Sequence, residues 1–324
     1  MDMNELIREI PKGSTRHLAK AITLTESSLA TDREQADKVL TKLMPLSGKS
    51  IRLGISGVPG VGKSSFIEKF GHLIIESGYK LAILAVDPTS PITGGSIMGD
   101  KTRMETLSVH PKAFIRPSPS QGALGGVCRR TREALLLCET AGYDFIIIET
   151  VGVGQSEITV SSMVDIFLML QLPNAGDQLQ GIKKGILELA DLVVVTKCDG
   201  AFENAAKQTQ MEQKQALDLI KNKNGLPPQV FLSSANTGLG LKEILEEISR
   251  LIQERKHDQS FEKERASQKE LWLEQELTET IQEWVKNDPG CLELLNKFRS
   301  KVTSGSLAAG EAAKKILTEL VKNP

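Results

Sequence analysis

No stretch of the chain approaches the roughly 18 consecutive apolar residues that a membrane-spanning helix needs. The N-terminus, MDMNELIREIPKG, is amphipathic and mixed in charge, without the apolar core of a secretory signal. A soluble, cytoplasmic protein is expected, and a mature organellar chain would look the same. Excess charge is lacking too. The 40 Lys and Arg residues face 41 Asp and Glu, a net charge of −1, so no bulk field favours nucleic acid or an anionic membrane. The one compact basic cluster, Arg129, Arg130 and Arg132, reads as a solvated helix face. Cysteine is sparse and unpatterned. Cys128, Cys138, Cys198 and Cys291 lack CxxC or CxH spacing, and His17, His72, His110 and His257 are scattered. Neither a metal site nor a disulfide framework is indicated, and a reducing compartment is favoured. No internal repeat is present.

What is there is ordinary globular material: 40% hydrophobic and 25% charged over 324 residues, enough for one large domain with appendages. Residues 1–45 read as helical, with Leu18, Ile22, Leu29, Ala36, Val39, Leu40 and Leu43 recurring at three and four. Pro45 and the stretch Ser47-Gly48-Lys49-Ser50 break that pattern. Short β-branched runs then alternate with helical stretches: IRLGIS (51–56), LAILAVD (81–87), FIIIET (145–150), DIFLMLQ (165–171), DLVVVTK (191–197) and QVFLSS (229–234). Runs this continuously apolar are buried on both faces, which predicts an α/β fold with a mostly parallel central sheet flanked by helices. Beyond residue 250 the helical period returns. Leu273, Leu277, Ile281 and Trp284 fall on one stripe, and packing on the main domain and a dimer interface are both open for it. The expected organisation is an N-terminal helical extension (1–46), a central domain (47–253) and a C-terminal helical extension (254–324).

GVPGVGKS, residues 57–64, fits G-x-x-x-x-G-K-[ST] between the strand IRLGIS and a helix that turns Phe66, Ile67 and Phe70 inward. Gly57, Gly60 and Gly62 let the backbone wrap phosphates with its N–H groups, and the helix N-terminus adds its positive dipole end. The segment from Gly57 through Val58, Pro59, Gly60, Val61, Gly62, Lys63 and Ser64 to Ser65 is therefore the candidate phosphate cradle. Lys63 would reach the β- and γ-phosphates, and the Ser64 hydroxyl would ligate Mg²⁺. Ligands of an open parallel sheet gather beyond its carboxyl edge, where two strands end in an acid, Asp87 and Glu149. Each could hold Mg²⁺ or its water, and each could equally cap a helix or form a turn. Gly152, three residues after Glu149, matches the Asp-x-x-Gly logic of nucleotide switches with glutamate in place of aspartate. The Gly-, Ser- and Thr-rich segments 88–105 and 150–157 read as switch loops, and PNAGDQLQGIKKG (173–185) is a third such segment.

Together AVDPTSPITGGSIMGDKTRM, ETVGVGQSE and NAGDQLQGIKKGILELAD closely resemble the G proteins that chaperone adenosylcobalamin-dependent methylmalonyl-CoA mutase, the MeaB/ArgK/MMAA type. The likeness takes in GSTRHLAKAITLTES and weakens after residue 255. It implies a SIMIBI-like P-loop GTPase at 47–253, binding GTP, GDP and Mg²⁺. It also implies a homodimer, with the C-terminal extension as its dimerisation region, and a B12-dependent acyl-CoA mutase as partner. On matching positions, Asp87, Asp100 and Glu149 would organise the metal, its waters and the switches. Asp177 and Lys183 would couple the mutase to hydrolysis, Lys183 by supplying positive charge at the transferring phosphoryl as an arginine finger does. Read without the resemblance, Lys183-Lys184 is a solvated helix start.

The strand at 191–197 ends in Thr196-Lys197-Cys198-Asp199, where the usual guanine-reading motif has Asn-Lys-x-Asp. Asp199 can accept from guanine N1–H and the exocyclic amine at once, a charge-assisted pair that adenine cannot offer. The Lys197 stem can lie over the base. Threonine keeps one hydroxyl of the asparagine's function and loses its reach. Ser233-Ser234-Ala235, after QVFL, matches the loop whose backbone N–H meets guanine O6. GTP is therefore the expected nucleotide. Two other readings remain: a nickel-type metallochaperone GTPase, which would carry the Cys-x-Cys or His-rich relay missing here, and a kinase linked to basic amino-acid transport, which would need a phosphoacceptor site.

Overall fold

In the computed structural model, residues 2–27, 29–88, 104–120, 124–150, 156–174, 184–218, 222 and 225–322 are described. Two compact units divide them, residues 1–265 and 266–324. No described helix is long and apolar enough to cross a membrane.

The first unit begins with three helices, α1 (Met3–Glu9), α2 (Thr15–Glu26) and α3 (Ala30–Leu43). Among the described residues seven parallel strands follow: β1 (Ile51–Gly57), β2 (Leu81–Pro88), β3 (Ala113–Ser120), β4 (Phe145–Thr150), β5 (Ile166–Gln171), β6 (Leu192–Val195) and β7 (Gln229–Leu232). Their spatial order is β3-β2-β4-β1-β5-β6-β7. The chain leaves β1 toward one edge of the sheet and, after β4, crosses to the other. The carboxyl end of β1 therefore lies at the topological switch point, where open α/β sheets bind ligands.

One face of the sheet carries α4 (Lys63–Glu76). The core there joins Leu53, Ile55, Ile147, Leu168 and Val194 of the strands to Phe66, Ile67 and Phe70 of α4. Phe66 and Phe70 stack with ring centroids 5.2 Å apart. These eight side chains are all fully buried, each worth about 1.5–3 kcal/mol over exposure, so the strand-to-helix corner that holds GVPGVGKS is rigidly seated.

α5 (Leu124–Thr140) packs against α2, α3 and strands β2 to β4. The arginine cluster sits on α5, and there the expected solvated face is wrong. Arg132 is buried and donates to the Ser162 hydroxyl at 2.8 Å. Arg129 bonds Glu133 at 3.0 Å and lies 3.7 Å from Asp37 of α3. Helices from outside the α/β core cover the face that a two-layer reading leaves to water. Strand β3 was also absent from the sequence reading. It carries Pro117 and Pro119, but β3 is an edge strand, and alternate residues with no N–H are tolerated where that side of the strand has no neighbour.

At the amino edge of the sheet, charged side chains are buried in pairs. Arg52 of β1 grips both carboxylate oxygens of Glu139 at 2.9 Å, while the Ser50 hydroxyl donates to Glu139 at 2.6 Å and the Gly48 N–H at 2.7 Å. Arg265 grips Asp165 at 2.9 and 2.7 Å and donates to the carbonyls of Gly48 and Ser50. Arg255 pairs with Asp191 at 2.6 Å, and its other arm reaches the Asp165 carbonyl. Burial pushes the Glu139 carboxyl up, but the hydrogen bond and charge of Arg52, with Ser50 and Arg265, outweigh it and hold it below the usual carboxylate range. After α6 (Ser156–Ser161), α7 (Lys184–Leu187) and α8 (Glu203–Leu217) come α9 (Leu241–His257) and α10 (Ser260–Asn287), and these bonds stitch β1, the start of β5 and α5 to α9 and to the first turns of α10.

The second unit contains the rest of α10 together with α11 (Pro289–Thr303) and α12 (Ala309–Lys322). Asp288 caps α11 by accepting from the Cys291 N–H at 2.8 Å, with Pro289 in its first turn. Cys291, Phe298 and Ala312 are buried, whereas Leu273, Leu277, Ile281 and Trp284 are exposed.

Candidate functional site

Residues 57–62 form the turn between β1 and α4. Any Cβ on Gly57 would lie 2.8 Å from the Leu170 carbonyl oxygen, so close contact with β5 fixes glycine there. Gly62 starts α4 at φ 94°, a left-handed conformation that side chains resist. Val61 is buried beneath the loop, and Ser65 lies exposed in the first turn of α4. The Lys63 ammonium folds over the loop, donating to the Gly57 carbonyl at 2.6 Å and to that of Val58 at 3.4 Å. A flexible cation is thus held by two loop carbonyls in the first turn of α4.

Glu149, a buried residue of β4, pairs in register with Ile55, two residues before Gly57. The backbone of Asp87 lies in β2, two residues beyond Ala85, the register partner of Glu149. These carboxylate positions and Ser64 therefore belong to neighbouring strands and the adjoining helix start at one edge. Behind them the Thr150 hydroxyl donates to that of Ser56 at 2.8 Å, and Ser56 donates to the buried Glu157 carboxylate at 3.2 Å. The network joins the strand entering the phosphate loop to the strand entering residues 150–157. Asp100, Gly152, Asp177 and Lys183 lie outside the described residues.

The segment after β6 meets the phosphate loop. The Thr196 hydroxyl is 2.8 Å from the Val61 carbonyl and 3.1 Å from that of Gln171, donating to both in a forked geometry. The threonine therefore keeps the buttress expected of asparagine. Lys197 takes φ 56°, unusual for a residue with a side chain, and its ammonium donates to the Gly60 carbonyl at 3.0 Å. The Cys198 N–H bonds the Ser233 carbonyl at 3.0 Å, tying this turn to the one after β7. Burial pushes the Cys198 thiol up, which leaves it neutral rather than nucleophilic.

Between these turns lies a cavity of about 220 Å³. Val61, Gly62, Ser65 and Phe66 form its phosphate-loop wall. Thr196, Lys197, Asp199 and Phe202 form a second, and Ser233, Ala235 and Asn236 a third. Ser234 stands behind this lining. Its buried hydroxyl donates to Asp199 Oδ2, while the Asn236 amide reaches the same carboxylate at 3.4 Å. Two lone pairs per oxygen leave Asp199 able to accept from two further N–H donors. The Ser233 hydroxyl is buried with no hydrogen-bond partner among the described residues, a donor that a ligand in the cavity could satisfy. Of the sequence candidates, the structure brings together Val61, Gly62, Ser65, Lys197, Asp199, Ser233 and Ala235. Phe202 and Asn236 were missed. The available signal was an aromatic residue in the otherwise small, polar turn that follows Asp199.

A family model described as "Methylmalonyl Co-A mutase-associated GTPase MeaB" matches residues 18–289. GTPase ArgK of Escherichia coli is 48% identical over 241 residues, covering 74% of this chain and 73% of that protein. A mouse (Mus musculus) protein named methylmalonic aciduria type A homolog, mitochondrial, is 43% identical over 326 residues, covering 97% of this chain and 79% of its own length. A crystal structure described as a LAO/AO transport system kinase has the same fold at 34% identity and a TM-score of 0.77, over 99% of this chain and 98% of that one.

Proposed function

Because the chain belongs to the MeaB family of methylmalonyl Co-A mutase-associated GTPases, we propose that its GTP hydrolysis gates the loading and protection of a B12-dependent acyl-CoA mutase such as methylmalonyl-CoA mutase. The observation that carries the nucleotide part is the cavity that joins the phosphate loop to Asp199, with the carboxylate oriented by Ser234. Guanine in that cavity presents N1–H and its 2-amino group to Asp199. Lys197 flanks the base, and the Ser233 to Ala235 turn faces O6. The backbone of residues 57–65 cradles the phosphates, and Lys63 leaves the loop carbonyls for the β- and γ-phosphates.

The residues present fit Mg²⁺, which takes hard oxygen donors and in nucleotide sites needs only one or two carboxylates alongside phosphate. Ser64 would hold it, with Asp87, Asp100 and Glu149 holding its waters. Bound there, Mg²⁺ would neutralise charge developing on the β- and γ-phosphates. Gly152 would contact the γ-phosphate through its N–H, and Lys183 would add positive charge when the mutase engages the third switch. The chain would act as a cytoplasmic homodimer built through the C-terminal helices, residues 254–324. The exposed stripe Leu273, Leu277, Ile281 and Trp284 supports that reading.

The test is to measure GTP turnover of the purified chain alone and with a panel of B12-dependent mutases. Stimulation by one of them, with a complex by size-exclusion chromatography, is expected. No stimulation and no complex with any of them would overturn the partner assignment. Labelled γ-phosphate separates hydrolysis from the kinase activity that the LAO/AO description suggests: label is expected in inorganic phosphate alone.

A further inference from the structure

Phe202 lines the cavity yet keeps 52% of its surface exposed. It closes a 3-10 turn, Gly200–Phe202, whose last N–H donates to the Asp199 carbonyl at 3.1 Å. Gly200 takes φ 52° at the start of that turn. The ring is therefore tied through its backbone to Asp199 itself, and among the described residues it is not part of the buried core that packs on the sheet. A half-exposed aromatic side chain at a polar cavity gains most by covering a flat apolar surface. A nucleobase offers that surface, since every base has a π-face.

We propose that Phe202 is a stacking platform for the base of the bound nucleotide, supplying affinity that does not depend on which purine is present. The proposal rests on the guanine-pocket reading and divides its labour: Asp199 selects by hydrogen bonding to the base edge, and Phe202 holds the base by its face. Asp199 discriminates between guanine and hypoxanthine, which lacks the 2-amino group. Stacking on Phe202 does not.

The experiment measures GDP and IDP dissociation constants by calorimetry for the wild type, Phe202→Ala, Phe202→Leu, Phe202→Trp and Asp199→Asn. Phe202→Ala is expected to weaken GDP and IDP by the same factor, about tenfold. Phe202→Leu, apolar but without a π-face, stays weakened, and Phe202→Trp recovers the affinity. Trp fluorescence of Phe202→Trp should quench on adding GDP beyond any change in the wild type. The side chain is half solvent-exposed, so the Phe202→Ala melting temperature should match the wild type. If Phe202→Ala or Phe202→Leu binds GDP as tightly as the wild type while Asp199→Asn weakens it, stacking is wrong and the pocket reading stands. A loss confined to GDP also overturns stacking. If neither Asp199→Asn nor Phe202→Ala alters binding, the pocket reading falls and takes stacking with it.

Discussion

The two edges of the sheet use the same kinds of side chain to opposite ends. At the amino edge Arg52, Arg265 and Arg255 meet Glu139, Asp165 and Asp191, and serine and backbone groups fill the remaining hydrogen-bond positions. At the carboxyl edge Asp199 and Lys197 border a cavity, and the Ser233 hydroxyl has no partner among the described residues. Charge paired inside the protein fixes geometry and contributes to stability, with its hydrogen-bond capacity used internally. Charge and polar groups facing a cavity are held in place by neighbours, Ser234 for Asp199 and the Gly60 carbonyl for Lys197, and keep capacity for a ligand. Strand β1 connects the two regimes, carrying Arg52 near its start and running into the phosphate loop at Gly57.

The sharpest contrast comes from substituting one cation or anion at each edge. Lys63→Ala should lower single-turnover GTP hydrolysis by about 10²–10³-fold, the loss seen when one charge-stabilising group is removed from a transition state. Its denaturant midpoint should stay at the wild-type value. Glu139→Gln should do the reverse. Leaving Arg52 buried without its carboxylate costs about 3–5 kcal/mol of stability, read by urea unfolding, with little change in nucleotide affinity for the protein that remains folded. A change of affinity as large as the change in stability would erase the distinction between the edges.

Acid offers a gentler probe of the amino edge. The folded pKa of Glu139 is depressed, so its contribution is fully present above the ordinary carboxylate value of about 4.3 and is lost as pH falls through the lower folded value. The wild type should lose stability below about pH 4.3 more steeply than Glu139→Gln, measured by urea midpoints across that range. The smallest effect belongs to Thr196→Val. Removing the hydroxyl that meets the Val61 carbonyl should weaken GDP by about 1 kcal/mol, roughly fivefold, in a titration.

The carboxyl edge was the more legible in sequence because phosphate chemistry demands local spacing. Gly57, Gly60, Gly62, Lys63 and Ser64 are contiguous, and the strand runs before them set their place in the sheet. The amino edge left no such trace. Arg265 and Asp165 are 100 residues apart, and Arg52 and Glu139 are 87 apart, so nothing in the neighbourhood of either residue announces a partner. Pro117 and Pro119 hid an edge strand for a comparable reason, since the sequence does not say which strand has a free side. Compared letter by letter with Asn-Lys-x-Asp, Thr196 shows only a loss of reach. A hydroxyl at the end of β6 already lies within 2.8 Å of the Val61 carbonyl. Phe202 carries no periodic or motif signal, and only the closure of its turn onto Asp199 brings it to the cavity. The assignments of Asp100 and Lys183 rest on the family motifs alone, and that of Gly152 on its spacing from Glu149.

Nucleotide preference decides whether the carboxyl-edge cavity reads guanine through Asp199. Hydrolysis of GTP and XTP by the wild type and Asp199→Asn should be compared at equal subsaturating concentrations. The wild type should prefer GTP. Asp199→Asn should move the ratio toward XTP by about 10–100-fold, the worth of charge-assisted hydrogen bonds to the base edge. An unchanged ratio, with GTP turned over as in the wild type, would contradict the account and remove Asp199 from the site.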